Sequence, residues 1–165
     1  MSAITARHAA EITRILELAA GRQRDLTVLV YARLFADHPE MEALFVRDTE
    51  GLVKAEMLAR VFETILDFID RRAYAPQLIQ CEVVTHEGYG VPPEVFGIFF
   101  ETVALAIREI LGDEWSASAD ASWRRLLADL DRYVKNPEQF MPPPSVGRSP
   151  VRPNRGNRVR PHPEA

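Results

Sequence analysis

Residues 75–96 read APQLIQCEVVTHEGYGVPPEVF, and the histidine in this stretch decides how the chain folds. Ile79, Val83 and His86 fall at steps of four and three, which places them on one face of a helix. Gly88 and Gly90 break that helix. Pro92-Pro93 then opens another, because proline is tolerated in a first turn, where its missing N–H has no intrahelical partner to lose. A histidine on an apolar face is ordinarily a hydrogen-bonded core residue. This one follows Leu58 by 28 positions, and Leu58 lies on the strongest amphipathic stripe of the chain. The chain thus carries two apolar helical stripes, one through Leu58 and one ending in His86, 28 residues apart.

Working outward, the periodicity from residue 3 to residue 135 is helical throughout, without an alternating stretch or a β-branched run bounded by turns. An all-α domain is expected. A first helix is read from about Ala3 to Ala20, with Ile12, Ile15, Leu16 and Ala19 inward and Gly21 as its stop. A second is read from about Arg22 to Ala36, and Pro39 starts a short third helix ending near Phe45. After the polar turn 46–51, Leu58, Val61, Phe62, Ile65, Leu66 and Ile69 form the amphipathic stripe. Lys54 lies one turn before Leu58 on the same face, so its aliphatic stem must pass apolar surface before the ammonium reaches water. The long helix after Pro93 carries Phe96, Phe99, Phe100 and Val103, and Ser116 or Ser118 is expected to cap the last helix, which buries Trp123, Leu126 and Leu130.

Composition bounds the chemistry. The 165 residues, 47% of them apolar, suit one domain. Cys81 is the single cysteine, which excludes an internal disulfide framework and a multi-cysteine metal site and fits a reducing, cytoplasmic setting. No apolar run approaches the roughly 18 residues that a membrane crossing needs, so no membrane partner is expected. The net charge of −4 is uneven: residues 142–165 carry five arginines (Arg148, Arg152, Arg155, Arg158, Arg160) against Glu164, leaving the rest at about −8. Seven of the twelve prolines share that segment. The organisation expected is a helical domain over residues 1–140 followed by a disordered Pro/Arg-rich tail over residues 141–165. The tail lacks the interleaved aromatics of a base-stacking arm, and no nucleic acid is expected as partner.

Taken in order, VYARLFADHPEMEALF (residues 30–45), MLARVF (57–62), THEGYGVPPEVF (85–96), EILGDEW (109–115) and SWRRLL (122–127) resemble the globin family. Within it, the chain is similar to the bacterial single-domain hemoglobins and the heme domains of flavohemoglobins, over roughly residues 5–135. The resemblance implies a three-over-three helical sandwich around one heme b. It implies that His86 is the ligand of the heme iron, followed by Val91 and Pro93 as the family pattern expects. It makes Phe45 the phenylalanine packed on the heme face, Pro39 the corner proline before it, Leu58 the apolar wall of the ligand cavity and Tyr31 the distal hydroxyl. A phenol donates well to dioxygen, which takes on superoxide-like charge as a ligand.

Two positions depart from the family. Lys54 stands where many members have His or Gln, with propionate pairing or a water-facing ammonium ranked above iron ligation. Phe96 occupies the place of the tyrosine that, with a glutamate, backs the histidine in flavohemoglobins; Glu138 aligns loosely with that glutamate but lies beyond Pro137. Without the triad, His86 should be less imidazolate-like, with the carbonyl of Glu82 or Val83 as acceptor for its outer nitrogen. Cys81, off the histidine stripe, is expected to be a small buried hydrophobe. The function implied is reversible dioxygen binding, as carrier, store or supplier, with NO and CO as further small ligands. Its rivals are nitric oxide dioxygenation served by an external reductase, and gas sensing through a partner.

Overall fold

A computed structural model of the chain describes residues 4–136. Six α-helices follow one another: α1 (Ala6–Arg22), α2 (Thr27–Asp37), α3 (Leu52–Ile69), α4 (Ala75–Gly88), α5 (Pro93–Leu111) and α6 (Ala117–Lys135). Short 3-10 helices cover Pro39–Phe45 and Gly112–Glu114. The fold is all-α, as expected. The 140/141 boundary, the character of the tail and the placement of Glu138 lie outside the described residues.

The helix ends follow local chemistry. Thr5 caps α1, exchanging hydrogen bonds with the backbone and ring of His8. The helix runs through Gly21 and stops one residue later. The second helix does not start at Arg22 as the periodicity suggested. Asp25 accepts the N–H of Thr27 at 2.8 Å and fixes the start there, leaving residues 23–26 as a connector. Ser116 caps α6 through the N–H of Ala119 at 3.1 Å.

Helices α1, α5 and α6 pack on one another, α2 lies against α5, α3 pairs with α4, and α4 reaches α5 and α6. Ile12, Ile15, Ile65, Phe68, Ile79, Val83, Val103, Ile107, Trp123, Leu126 and Leu130 fill the shared core. On α3 the inward face centres on Leu58, Ile65 and Phe68, so Leu66, one residue round the helix from Ile65, is exposed where the stripe had placed it inside. Cys81 is a second correction. It sits two residues, about 200° of helix rotation, from buried Ile79, and that turns its thiol to the surface. Buried Thr64, Thr102 and Ser122 donate to the carbonyls four residues back, so none carries an unmet hydroxyl into the core.

Two acids tie the α3–α4 corner to its surroundings. Nearly buried Asp129 of α6 takes the Arg72 guanidinium at 2.7 Å and also pairs with Arg132, while Arg72 stacks 4.2 Å above the Phe68 ring. Asp67 accepts the N–H groups of Tyr74 at 2.9 Å and Ala75 at 2.7 Å, capping α4 from the end of α3. Burial raises the Asp67 pKa, but the N–H groups of Ala75, Tyr74 and Ala73 together outweigh it and hold the carboxyl below its ordinary value. A carboxyl depressed by folding stabilises the native state above its unfolded pKa and loses that contribution as pH falls through the folded one. Acidification from about pH 5 to about pH 3 should therefore lower the melting temperature of the wild type more than that of Asp67→Asn, which itself costs about 0.5–1 kcal/mol near neutrality. Parallel curves for the two proteins, followed by circular dichroism, would remove Asp67 from the corner's electrostatics.

Candidate heme-binding site

The α2–α3 connection, α3, α4, the 89–92 turn and the first half of α5 enclose a cavity of about 450 Å³. Its wall is mainly apolar, with Leu34, Met41, Phe45, Val61, Phe99 and Phe100 among the lining residues. Four residues singled out from the sequence line it: Phe45, His86, Val91 and Phe96. The other three, Tyr31, Lys54 and Leu58, are not among the lining residues, so Leu58 does not form the cavity wall that the resemblance implied; Tyr31 packs behind the wall rings of Phe45 and Phe99.

His86 reaches this cavity because α4 continues two residues beyond it before Gly90, at φ 85°, reverses the chain. Its Nδ1 lies 2.8 Å from the carbonyl oxygen of Glu82, one turn back. A carbonyl only accepts, so Nδ1 carries the proton, and Nε2 is left with the lone pair that binds a metal. The Glu82 carboxylate is 3.5 Å from the same Nδ1. Phe96 stands edge-on to the imidazole with centroids 5.1 Å apart, which fixes the ring plane by packing where a tyrosine would do so by hydrogen bonding.

Tyr31 on α2 is 3% exposed, clasped by Phe45, Phe99 and Phe35 at centroid distances of 5.1, 5.3 and 5.8 Å. Two of these rings form the cavity wall. The Tyr31 hydroxyl is buried with no hydrogen-bond partner. Burial, with a smaller push from the Asp48 charge, raises its pKa far above the ordinary phenol value, so it is a neutral donor. A buried hydroxyl without a partner is costly to leave unmet.

On α3 the cavity face runs through Val53, Met57, Val61 and Thr64, rotated from the line of Lys54 and Leu58. Leu58 packs into the core at 3% exposure. Lys54 is held at the cavity mouth, where its Nζ lies 3.3 Å from the Asp48 carbonyl, 3.7 Å from the Asp48 carboxylate and 6.0 Å from the Phe45 ring centroid. Lining residues missed by the sequence reading include Arg47, Arg60, Met57 and Tyr89. Arg47 sits in the polar turn, and Arg60 and Met57 lie to one side of the apolar stripe, so no hydrophobic period marks them.

This arrangement fits a heme. The cavity wall carries the rings of Phe45, Phe96, Phe99 and Phe100, Nε2 of His86 is available, two arginines line it (Arg47, and Arg60, which also pairs with Glu56 at 3.1 Å), and a donor without an acceptor lies behind Phe45 and Phe99. Residues 28–132 match the globin family model, and the chain belongs to the globin family. It is thus a heme-binding globin. Among curated proteins it is similar to the flavohemoprotein of Halalkalibacterium halodurans, with 27% identity over 110 residues, 64% of this chain. The match spans 26% of that relative's length. No solved structure matches the chain significantly. No described helix is long and apolar enough to cross a membrane.

Proposed function

We propose that this globin holds one b-type heme through Nε2 of His86 and takes dioxygen reversibly on the side of Tyr31. When bound, the heme supplies the iron at which a diatomic gas is held. The protein's residues supply the rest. The Nδ1–Glu82 hydrogen bond carries the reading, because it fixes the tautomer that leaves Nε2 free and keeps the imidazole in one orientation. Phe96 and Val91 exclude water from the histidine's side, and the Tyr31 hydroxyl donates to a ligand that draws negative charge toward itself. Arg47 and Arg60 are the groups positioned to pair with the heme carboxylates at the open edge.

A second reading, nitric oxide dioxygenation, follows from the resemblance to the heme domains of flavohemoglobins, and a flavohemoprotein is among the relatives of this chain. It requires dioxygen and NO to combine to nitrate and one electron to restore the ferrous state, so the chain would depend on a separate reductase. Visible spectra of the purified, ferrous and oxygenated protein test the principal reading. A Soret band and a stable oxygenated form that releases dioxygen on evacuation are expected; a protein that takes no heme overturns both readings. Rapid loss of the oxygenated spectrum on adding NO, with stoichiometric nitrate and turnover only when a reductant is supplied, would move the second reading ahead.

A further inference from the structure

Lys54 presents a problem that the cavity alone does not solve. A primary amine on α3, one turn before Leu58 and beside two lining residues of the cavity, has the chemistry to compete for heme iron when neutral. The side chain is 22% exposed, and its Nζ stands over Phe45 and Asp48, both of which line the cavity.

We propose that Asp48 is the positioning residue that keeps the distal site vacant for gas, by holding the Lys54 ammonium against its own carbonyl and carboxylate at the cavity mouth. Four observations carry this. The Asp48 side chain is only 6% exposed although it belongs to a surface turn. Its two carboxylate oxygens accept the N–H groups of Val53 at 3.1 Å and Lys54 at 2.9 Å, so the group is anchored by the first turn of α3 and cannot swing away. Its carbonyl accepts both the Gly51 N–H and the Lys54 Nζ, each at 3.3 Å, which binds lysine and turn as one unit. Gly51 adopts φ 75°, and this left-handed turn brings Asp48 back under α3.

The charges near Lys54 act in the same direction. Asp48 is its carboxylate neighbour at 3.7 Å, on the same residue whose carbonyl takes the ammonium at 3.3 Å. Burial raises the Asp48 pKa, but the backbone N–H groups of Lys54 and Val53 and the Lys54 ammonium prevail and keep it below its ordinary value, so the carboxylate is charged near neutrality. The same charge is felt by Tyr31, linking the turn to both distal polar groups.

The inference rests on the heme reading above, and the test separates the two. Ferric spectra and electron paramagnetic resonance at neutral pH would be recorded for heme-loaded wild type, Asp48→Asn, Lys54→Ala and the double variant. Asparagine keeps an oxygen that can accept one helix N–H but removes the charge; if that variant does not fold, Asp48→Ser supplies a neutral cap in its place. The expected result is a high-spin wild type and Lys54→Ala, a low-spin six-coordinate Asp48→Asn, and a return to high spin in the double variant. A purely structural role for Asp48 would not show this reversal. An Asp48→Asn protein that stays high-spin with a normal Soret band overturns the proposal and leaves the heme reading standing. A wild type that is already low-spin through Lys54 overturns it also, and a wild type that takes no heme overturns both.

Discussion

His86→Ala should abolish stable heme retention, or leave the protein coloured only while imidazole is added. No other described histidine is placed to substitute. His8 is committed to the cap of α1, and His38 stands at the start of the 3-10 helix beside Glu40. Nor do the described residues gather three or more His, Cys, Asp or Glu side chains into a group able to hold an ion. The protein itself should survive the change. The His86 side chain is 22% exposed, and its ring contacts Phe96 at the cavity wall without filling the core, so truncation should cost about 1 kcal/mol. Unchanged far-ultraviolet dichroism with a lost Soret band is the expected pair of results. An unchanged Soret band with normal heme retention would remove His86 from the site.

The fold was legible in the sequence wherever burial follows a period. The stripe through Leu58 and Ile65, the Pro39 and Pro93 helix starts, the Gly88-Gly90 break and the Ser116 cap all appear where apolar spacing and turn chemistry put them. Boundaries set by a single side-chain hydrogen bond did not. Asp25 decides where α2 begins, and nothing in the hydrophobic pattern of residues 22–36 marks that acid as special. The cavity wall was legible at Phe45, His86, Val91 and Phe96, because these belong to ordered motifs. Arg47, Asp48 and Arg60 were not, since a charged residue in a turn or beside a stripe looks like ordinary solvated surface until the chain closes around it. Lys54 shows the same limit from the other side. The stripe places its stem, but the partner that fixes its ammonium is a carboxylate six residues earlier, in a turn of no periodicity.

Tyr31→Phe should produce two effects of opposite sign. In the protein without ligand the phenol is an orphan, buried at 3% exposure with no acceptor, and an unmet hydroxyl of this kind costs about 1–3 kcal/mol. The phenylalanine ring keeps every contact with Phe35, Phe45 and Phe99, so the heme-free protein should be as stable as the wild type or more so. With dioxygen present the balance reverses, because the hydroxyl then has a partly anionic acceptor in a dry pocket. Such a bond contributes about 1.5–3 kcal/mol, and its loss should speed oxygen dissociation roughly ten- to hundredfold. Carbon monoxide draws far less negative charge and should dissociate at nearly the wild-type rate. Stopped-flow measurement of both gases, beside melting curves of the heme-free proteins, checks each half independently. Equal acceleration for the two gases would show a change in cavity shape rather than a lost hydrogen bond. A large drop in heme-free stability would mean that the hydroxyl is partnered after all, and that Tyr31 belongs to the core and not to the gas.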